Sequence, residues 1–311
     1  MRVVLLGTPE FAVPSLRMLL REGYEVAAVV CQPDRPSGRG GRLTPCPAKL
    51  AALDAGLRVL SFERLRGPEG VAALREIAPH IMITAAYGQI LSQRILDIPQ
   101  RGCINVHGSL LPRYRGPAPI QWAIIEGERT TGVTTMLTDR GVDTGDILLQ
   151  RSLDIRPEET AGELYARMAE LGAQVLSETL RLWIAGAITP TPQDPAQATH
   201  FPMLVKEDGR IDWTRTAEQV INRVRGVSPW PGAFTTYEGQ TLKIWKARAC
   251  EASGEPPGVV VAADVHRGLV VAAADRSVEI IEMQAAGGRR MDAREYLRGH
   301  GVREGAVVGH D

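Results

Sequence analysis

The chain has 311 residues, 44% of them hydrophobic, which supplies enough apolar material for one large core and one small one and makes two domains the default expectation. Its 36 basic and 36 acidic residues cancel to a net charge of zero, so a nucleic-acid partner has to be argued from local clusters and not from bulk charge. Cys31, Cys46, Cys103 and Cys250 are widely spaced and form no C-x-x-C pair, a pattern that argues against a zinc site or a disulfide framework and fits reduced thiols.

The opening run Val3–Leu6 reads as a buried strand; it is too short for a signal peptide. Nothing further along approaches the roughly 20 apolar residues of a membrane span, and a cytoplasmic protein is expected. Thr8 and Pro9 look like the cap and first position of a helix carrying Phe11, Leu16, Leu19 and Leu20 on its apolar face. Val26–Val30 is the next strand. A polar Gly/Pro-rich loop from Gln32 to Pro47 precedes a helix near Ala48–Leu57, a short strand Val59–Phe62, a helix Val71–Ile77 and a buried strand His80–Ala85. Later strands are expected at Cys103–Val106, Gly132–Leu137 and Asp146–Gln150, with a long helix near Thr160–Trp183. Strands alternating with helices imply crossovers and a mainly parallel sheet covered on both faces.

Pro190, Pro192 and Pro195 forbid helix and suit an extended connector over 189–205. Beyond it, strand-like runs at Thr241–Ala247, Gly258–Ala262, Gly268–Ala273 and Ser277–Met283 sit between close turn signals, as in a small β-barrel or sandwich. The expected division is therefore 1–188, 189–205 and 206–311.

Residues two apart in a strand share a face, so Asn105 and His107 project side by side where a parallel sheet binds its ligands. An amide beside an imidazole there is a donor pair for a developing oxyanion; the same residues also suit loop capping. Ile98–Ile125 contains no acid but includes Arg101, Arg113 and Arg115, which favours an anionic ligand. Asp139, Asp143 and Asp146, interleaved with glycines, describe a tight loop. One of these carboxylates beside His107 would orient the ring and favour its charged form, whereas ordinary turn aspartates look the same. Spacing chooses none of the three.

The run His107-Gly-Ser-Leu-Leu-Pro-Arg-Tyr-Arg-Gly116 and the run Gly141-Val-Asp-Thr-Gly-Asp146 resemble the folate-dependent formyltransferases. Gly7-Thr-Pro-Glu-Phe11, Gln32-Pro-Asp-Arg-Pro36, Ile211-Asp-Trp213, Pro229-Trp-Pro-Gly232 and the run over 242–247 resemble the members that act on methionyl initiator tRNA. The resemblance covers nearly the whole chain. It departs at His200-Phe201-Pro202-Met203, where the family commonly has Tyr-Ala-x-Lys, and after Gly299.

The resemblance implies a Rossmann-like α/β catalytic domain and a C-terminal OB-like β-barrel. It implies 10-formyltetrahydrofolate as co-substrate, no metal, Asn105, His107 and Asp143 as the catalytic residues, and Ser109, Leu110, Leu111 and Pro112 as the folate-binding turn. The amine of the charged tRNA would attack the formyl carbon while Asn105 and His107 hold the resulting oxyanion. The loop from Gln32 to Lys49 carries Arg35, Arg39, Arg42 and Lys49 against Asp34 alone. The resemblance makes it a tRNA-contacting insertion, with Arg39 and Arg42 as preferred contacts; a monomer is expected. Lys206–Asp311 balances its charges, so only an uneven distribution would give it an RNA face.

Two other readings are less well supported. A formyltransferase for a nucleotide-linked amino sugar would share the catalytic residues, but the arginine-bearing loop favours tRNA. A dinucleotide oxidoreductase would need G-x-G-x-x-G after the first strand; the turn here is Gly7-Thr8-Pro9-Glu10.

Overall fold

The computed structural model describes residues 1–37 and 41–309, and the chain forms two compact units. The first comprises Met1–Pro119, Thr130–Asp154 and Tyr165–Pro202. Its elements begin with β1 (Arg2–Gly7), α1 (Val13–Arg21), β2 (Glu25–Cys31), the short strands β3 (Arg35–Ser37) and β4 (Arg42–Thr44), and α2 (Pro47–Asp54). They continue through β5 (Val59–Ser61), α3 (Pro68–Ile77), β6 (Ile81–Ala85), α4 (Gln93–Leu96) and β7 (Cys103–His107). After α5 (Pro119–Ile125), which begins at the edge of this unit, come β8 (Thr130–Leu137), β9 (Ile147–Asp154) and α6 (Ala161–Ile184).

Seven strands form one sheet in the order β5-β2-β1-β6-β7-β8-β9. Pairing is parallel from β5 to β7 and antiparallel for β7–β8 and β8–β9. Continuous apolar runs make the central strands: Val3, Val4, Leu5 and Leu6 are all 0% exposed, as expected when both faces are covered. On one face Val4, Leu6, Val30 and Met82 pack with Leu74 and Ile77 of α3. On the other, α6 comes close enough that a Cβ on Gly172 would lie 3.0 Å from Val106 of β7, and Phe11 packs on Tyr165. This is the Rossmann-like, mainly parallel arrangement.

Thr8 does not cap a helix. Its hydroxyl donates to the Tyr87 carbonyl and accepts from the Gln32 backbone N–H, joining the ends of three strands, while Pro9 leads a single 3-10 turn before α1. The polar loop after β2 contains the β3–β4 hairpin, which the glycine-rich sequence between its strands obscured.

The second unit comprises Ile120–Arg129, Ile155–Leu164 and Met203–Asp311. Its helix α7 (Ala217–Gly226) starts at a capping box between Thr216 and Gln219. The strands β10 (Ala233–Tyr237), β11 (Gln240–Cys250), β12 (Val260–Asp264), β13 (Gly268–Ala272) and β14 (Ser277–Ala285) form an antiparallel sheet. Their order is β10-β11-β14-β13-β12, with β15 (Met291–Asp292) on β14 and α8 (Ala293–Gly299) following. Glu238 and Gly239, both at positive φ, make the two-residue turn between β10 and β11. Residues 305–309 then bond to Val260 of β12, to Gly258 just before it and to Thr236 of β10, an arrangement of the antiparallel sheet compatible with the expected OB-like barrel. No helix among the described residues is long and apolar enough to cross a membrane.

Candidate active site

The sheet brings Asn105 of β7 into register with Thr84 of β6, and the Thr84 hydroxyl donates to Asn105 Oδ1 at 2.8 Å. That bond occupies the carbonyl end of the amide and leaves Nδ2, a pair of donors, free among the described residues. Two residues on, His107 is 6% exposed. Its Nε2 lies 3.0 Å from the Tyr114 carbonyl oxygen, and its Nδ1 lies 3.6 Å from Asp143 Oδ1. Below them in the same strand Cys103 is buried, and that burial pushes its thiol up to about 12.

The turn after β7 is held from inside. The Ser109 hydroxyl donates to the Arg113 carbonyl at 2.7 Å, and the Ser109 carbonyl accepts from Thr134 Oγ1 at 2.6 Å. The Leu111 N–H goes to Thr134 Oγ1, and the Leu111 carbonyl takes Gln150 Nε2. Leu111 is buried, while Leu110 and Pro112 remain half-buried. Thr84, Thr134 and Gln150 were not anticipated; polar residues facing inward within apolar strands were the available signal.

The loop between β8 and β9 separates the three aspartates. Asp139 accepts from Thr144 Oγ1 and the Gly141 N–H, a local turn. Asp146 contributes its backbone carbonyl to Leu137. Asp143 is the one that faces His107, and its other oxygen accepts from the Gly116 N–H at 2.8 Å. A Cβ on Gly145 would overlap the Leu137 carbonyl oxygen, so the loop can close this tightly only on glycine.

The proline-rich stretch after α6 returns along this same unit. Thr191 exchanges two backbone bonds with Ile147 at the start of β9, and Phe201 stacks on Tyr114 with ring centroids 4.8 Å apart. Gln193 and Thr199, also unanticipated, reach the groups around His107. The prolines that mark an extended segment give no hint of where it docks.

Of the basic loop, Arg39 lies outside the described residues, and Arg42 begins β4 with its side chain likewise outside them. Arg35 pairs with Glu63 at 3.0 Å and Lys49 with Asp34 at 2.7 Å; the Asp34 carboxylate holds the Lys49 ammonium above its ordinary range. A cleft of about 550 Å³ lies wholly within the second unit. It is lined by Arg210, Arg215 and Arg223 together with Glu126, Asp212 and Glu218, a mixture of signs that singles out no ligand.

Residues 1–180 match the formyl transferase family, and residues 203–301 match the formyl transferase C-terminal domain. The chain is 49% identical over 310 residues to the methionyl-tRNA formyltransferase of Caldanaerobacter subterraneus subsp. tengcongensis, covering 99% of this chain and 100% of that one. It is 50% identical over 311 residues to that of Acetivibrio thermocellus, with the same coverage. Among solved structures, the N-formyltransferase from Helicobacter canadensis superposes with a TM-score of 0.66 at 19% identity, over 90% of this chain and 98% of that one. HypX from Aquifex aeolicus, solved in complex with tetrahydrofolic acid, superposes with a TM-score of 0.64 at 20% identity; the match covers 96% of this chain and 47% of that longer one. The fold, the two family matches and these two levels of sequence identity agree: the chain belongs to the methionyl-tRNA formyltransferases of the formyl transferase family.

Proposed function

We propose that this chain transfers a formyl group from 10-formyltetrahydrofolate to the amino group of methionyl initiator tRNA, acting as a cytoplasmic monomer with its chemistry at the carboxyl end of β7. The names of its relatives support the acceptor. The observation that carries the reaction is the meeting of an oriented amide, a buried imidazole and a carboxylate at one strand end.

The formylated folate supplies the electrophilic carbon. Asn105 Nδ2 donates to the oxygen that gains charge as the amine adds, a contribution of about 3–4 kcal/mol for such a donor. Both nitrogens of His107 face acceptors, the arrangement that an imidazolium satisfies. Its Nε2 proton is shared between the Tyr114 carbonyl and the reacting oxygen, and Asp143 holds the ring in register and helps to move the amine proton. As the oxyanion collapses, the bond from the formyl carbon to the folate nitrogen breaks, that nitrogen takes up the proton, and tetrahydrofolate leaves. The turn fits a folate: Leu110 and Pro112 offer apolar surface, and Ser109 and Leu111 keep the turn in shape through their bonds to Arg113, Thr134 and Gln150. Arg39 and Arg42 are assigned to tRNA phosphates.

The test is formylation of charged initiator tRNA, charged elongator tRNA and a nucleotide-linked amino sugar, each with the formyl donor. Initiator tRNA is the expected acceptor, and near-normal turnover by His107→Ala would overturn the mechanism. For the loop, affinity for tRNA should fall steeply with salt, and an Arg39/Arg42 double substitution should flatten the slope by about two.

A further inference from the structure

The two groups that hold the His107 ring are themselves held from elsewhere. Tyr114, whose carbonyl meets Nε2, has φ +59°, and Asp143, on the Nδ1 side, has φ +55°. Left-handed backbone at a residue other than glycine is disfavoured and persists only where the surroundings fix it. The Gly116 N–H holds the Asp143 carboxylate and the Ser109 hydroxyl the Tyr114 carbonyl, and on both sides further bonds come from the single stretch Thr191–Phe201. On the Tyr114 side, the Tyr114 N–H donates to Thr199 Oγ1 at 2.8 Å, and the Tyr114 ring stacks on Phe201. On the Asp143 side, Gln193 Nε2 donates to the carbonyls of Asp143 and Gly145 at 2.9 and 2.7 Å.

Gln193 also joins the two sides. Its Oε1 accepts from Nε and Nη2 of Arg115 at 3.0 and 2.6 Å, and Arg115 is 7% exposed. The backbone of Arg115 exchanges bonds with Thr199 and Phe201. One amide therefore grips the aspartate loop with its nitrogen and the turn after β7 with its oxygen. Of the uncharged side chains of this length, only glutamine presents both a donor pair and an acceptor.

We propose that Thr191–Phe201 is a clamp on the active site and that Gln193 is a positioning residue for formyl transfer, setting the separation between the Asp143 carboxylate and the His107 ring. The inference rests on the reading that His107 and Asp143 act in this reaction. Gln193 touches neither reacting group. Its effect is geometric, and a displacement of about 1 Å at a reacting centre costs up to about 10²-fold in rate.

The experiment compares the full-length wild-type chain with Gln193→Met, which keeps length and loses both kinds of bond, and Gln193→Glu, which keeps the acceptor for Arg115 and loses the donors to the loop. Formylation of charged initiator tRNA gives kcat and KM, thermal melting reports folding, and ¹⁵N NMR reads the His107 ring nitrogens. Both variants are expected to lose kcat by about 10- to 100-fold, with KM for either substrate within about twofold of wild type and the His107 signals displaced. Wild-type kcat in both variants overturns the clamp. So does a kcat loss matched by loss of folded protein while the ring signals stay in place. His107→Ala, run alongside, separates the two failures. If that variant is inactive while Gln193→Met is normal, only the clamp falls; if it is active, the reading of the site itself falls.

Discussion

Thr84 and Asn105 sit opposite each other on adjacent parallel strands, and the 2.8 Å bond between them turns the carbonyl end of the Asn105 amide toward Thr84, leaving Nδ2 for the proposed oxyanion. A threonine hydroxyl buried at 7% exposure is a poor core residue without a partner; here its partner is Asn105.

Asn105→Asp keeps an acceptor for Thr84 and removes the donors, so kcat should fall about 10²- to 10³-fold. Thr84→Val frees the amide to turn and should cost less, about three- to tenfold. Saturating formylation assays compare the two, and equal losses would show that Thr84 does more than orient Asn105.

Asp143→Asn retains an oxygen for the Gly116 N–H and a residue type tolerant of φ +55°, but it lacks the charge beside His107. Turnover should drop about 10²- to 10⁴-fold with little change in melting temperature. Asp143→Ala should lose activity and, in addition, about 1–2 kcal/mol of stability through its backbone. Chemical denaturation distinguishes the two variants.

Gly145→Ala drives a methyl into the Leu137 carbonyl. A loss of about 2–4 kcal/mol is expected, with activity falling as the aspartate loop shifts. Gly186, at φ +66° with open space around it, is the contrast: Gly186→Ala should cost about 1 kcal/mol and leave kcat alone. Paired melts and assays check both.

Asp264 accepts from the backbone N–H groups of His266 and Arg267 and from the Arg267 side chain. These bonds, the Arg267 backbone first, lower its carboxyl from 3.8 to about 2. The folded chain thus binds that proton less readily than the unfolded one, and the stabilisation is whole above about pH 4 and disappears as pH falls through 2. Wild type and Asp264→Asn should differ most in urea midpoint near neutrality and converge in acid.

Strand and helix alternation was legible because fully covered strands are written as apolar runs: Val3–Leu6 and Ile81–Ile83 could hardly be anything else. Asn105 and His107 were legible as neighbours from the two-residue period alone. Asp143 was not separable from Asp139 and Asp146 by spacing, since the difference lies in which carboxylate the Thr144 hydroxyl satisfies locally. Thr8 read as a helix cap because capping is a local rule, yet it bonds to residues distant in sequence. Gln193 was invisible for the same reason: the stretch that carries it has no periodicity, and its partners lie 48 to 78 residues away.

The seam that residues 305–309 make with Gly258, Val260 and Thr236 bears on what the ends of the sheet can offer to another molecule. Strands β10 and β12 end the antiparallel sheet, and their outward amides and carbonyls would otherwise be templates for a strand from another molecule. With that backbone already engaged, a foreign strand has to displace the seam before it can add. Crowded solutions of the intact chain should therefore stay free of fibrils under conditions in which a chain clipped near Gly301 begins to form them.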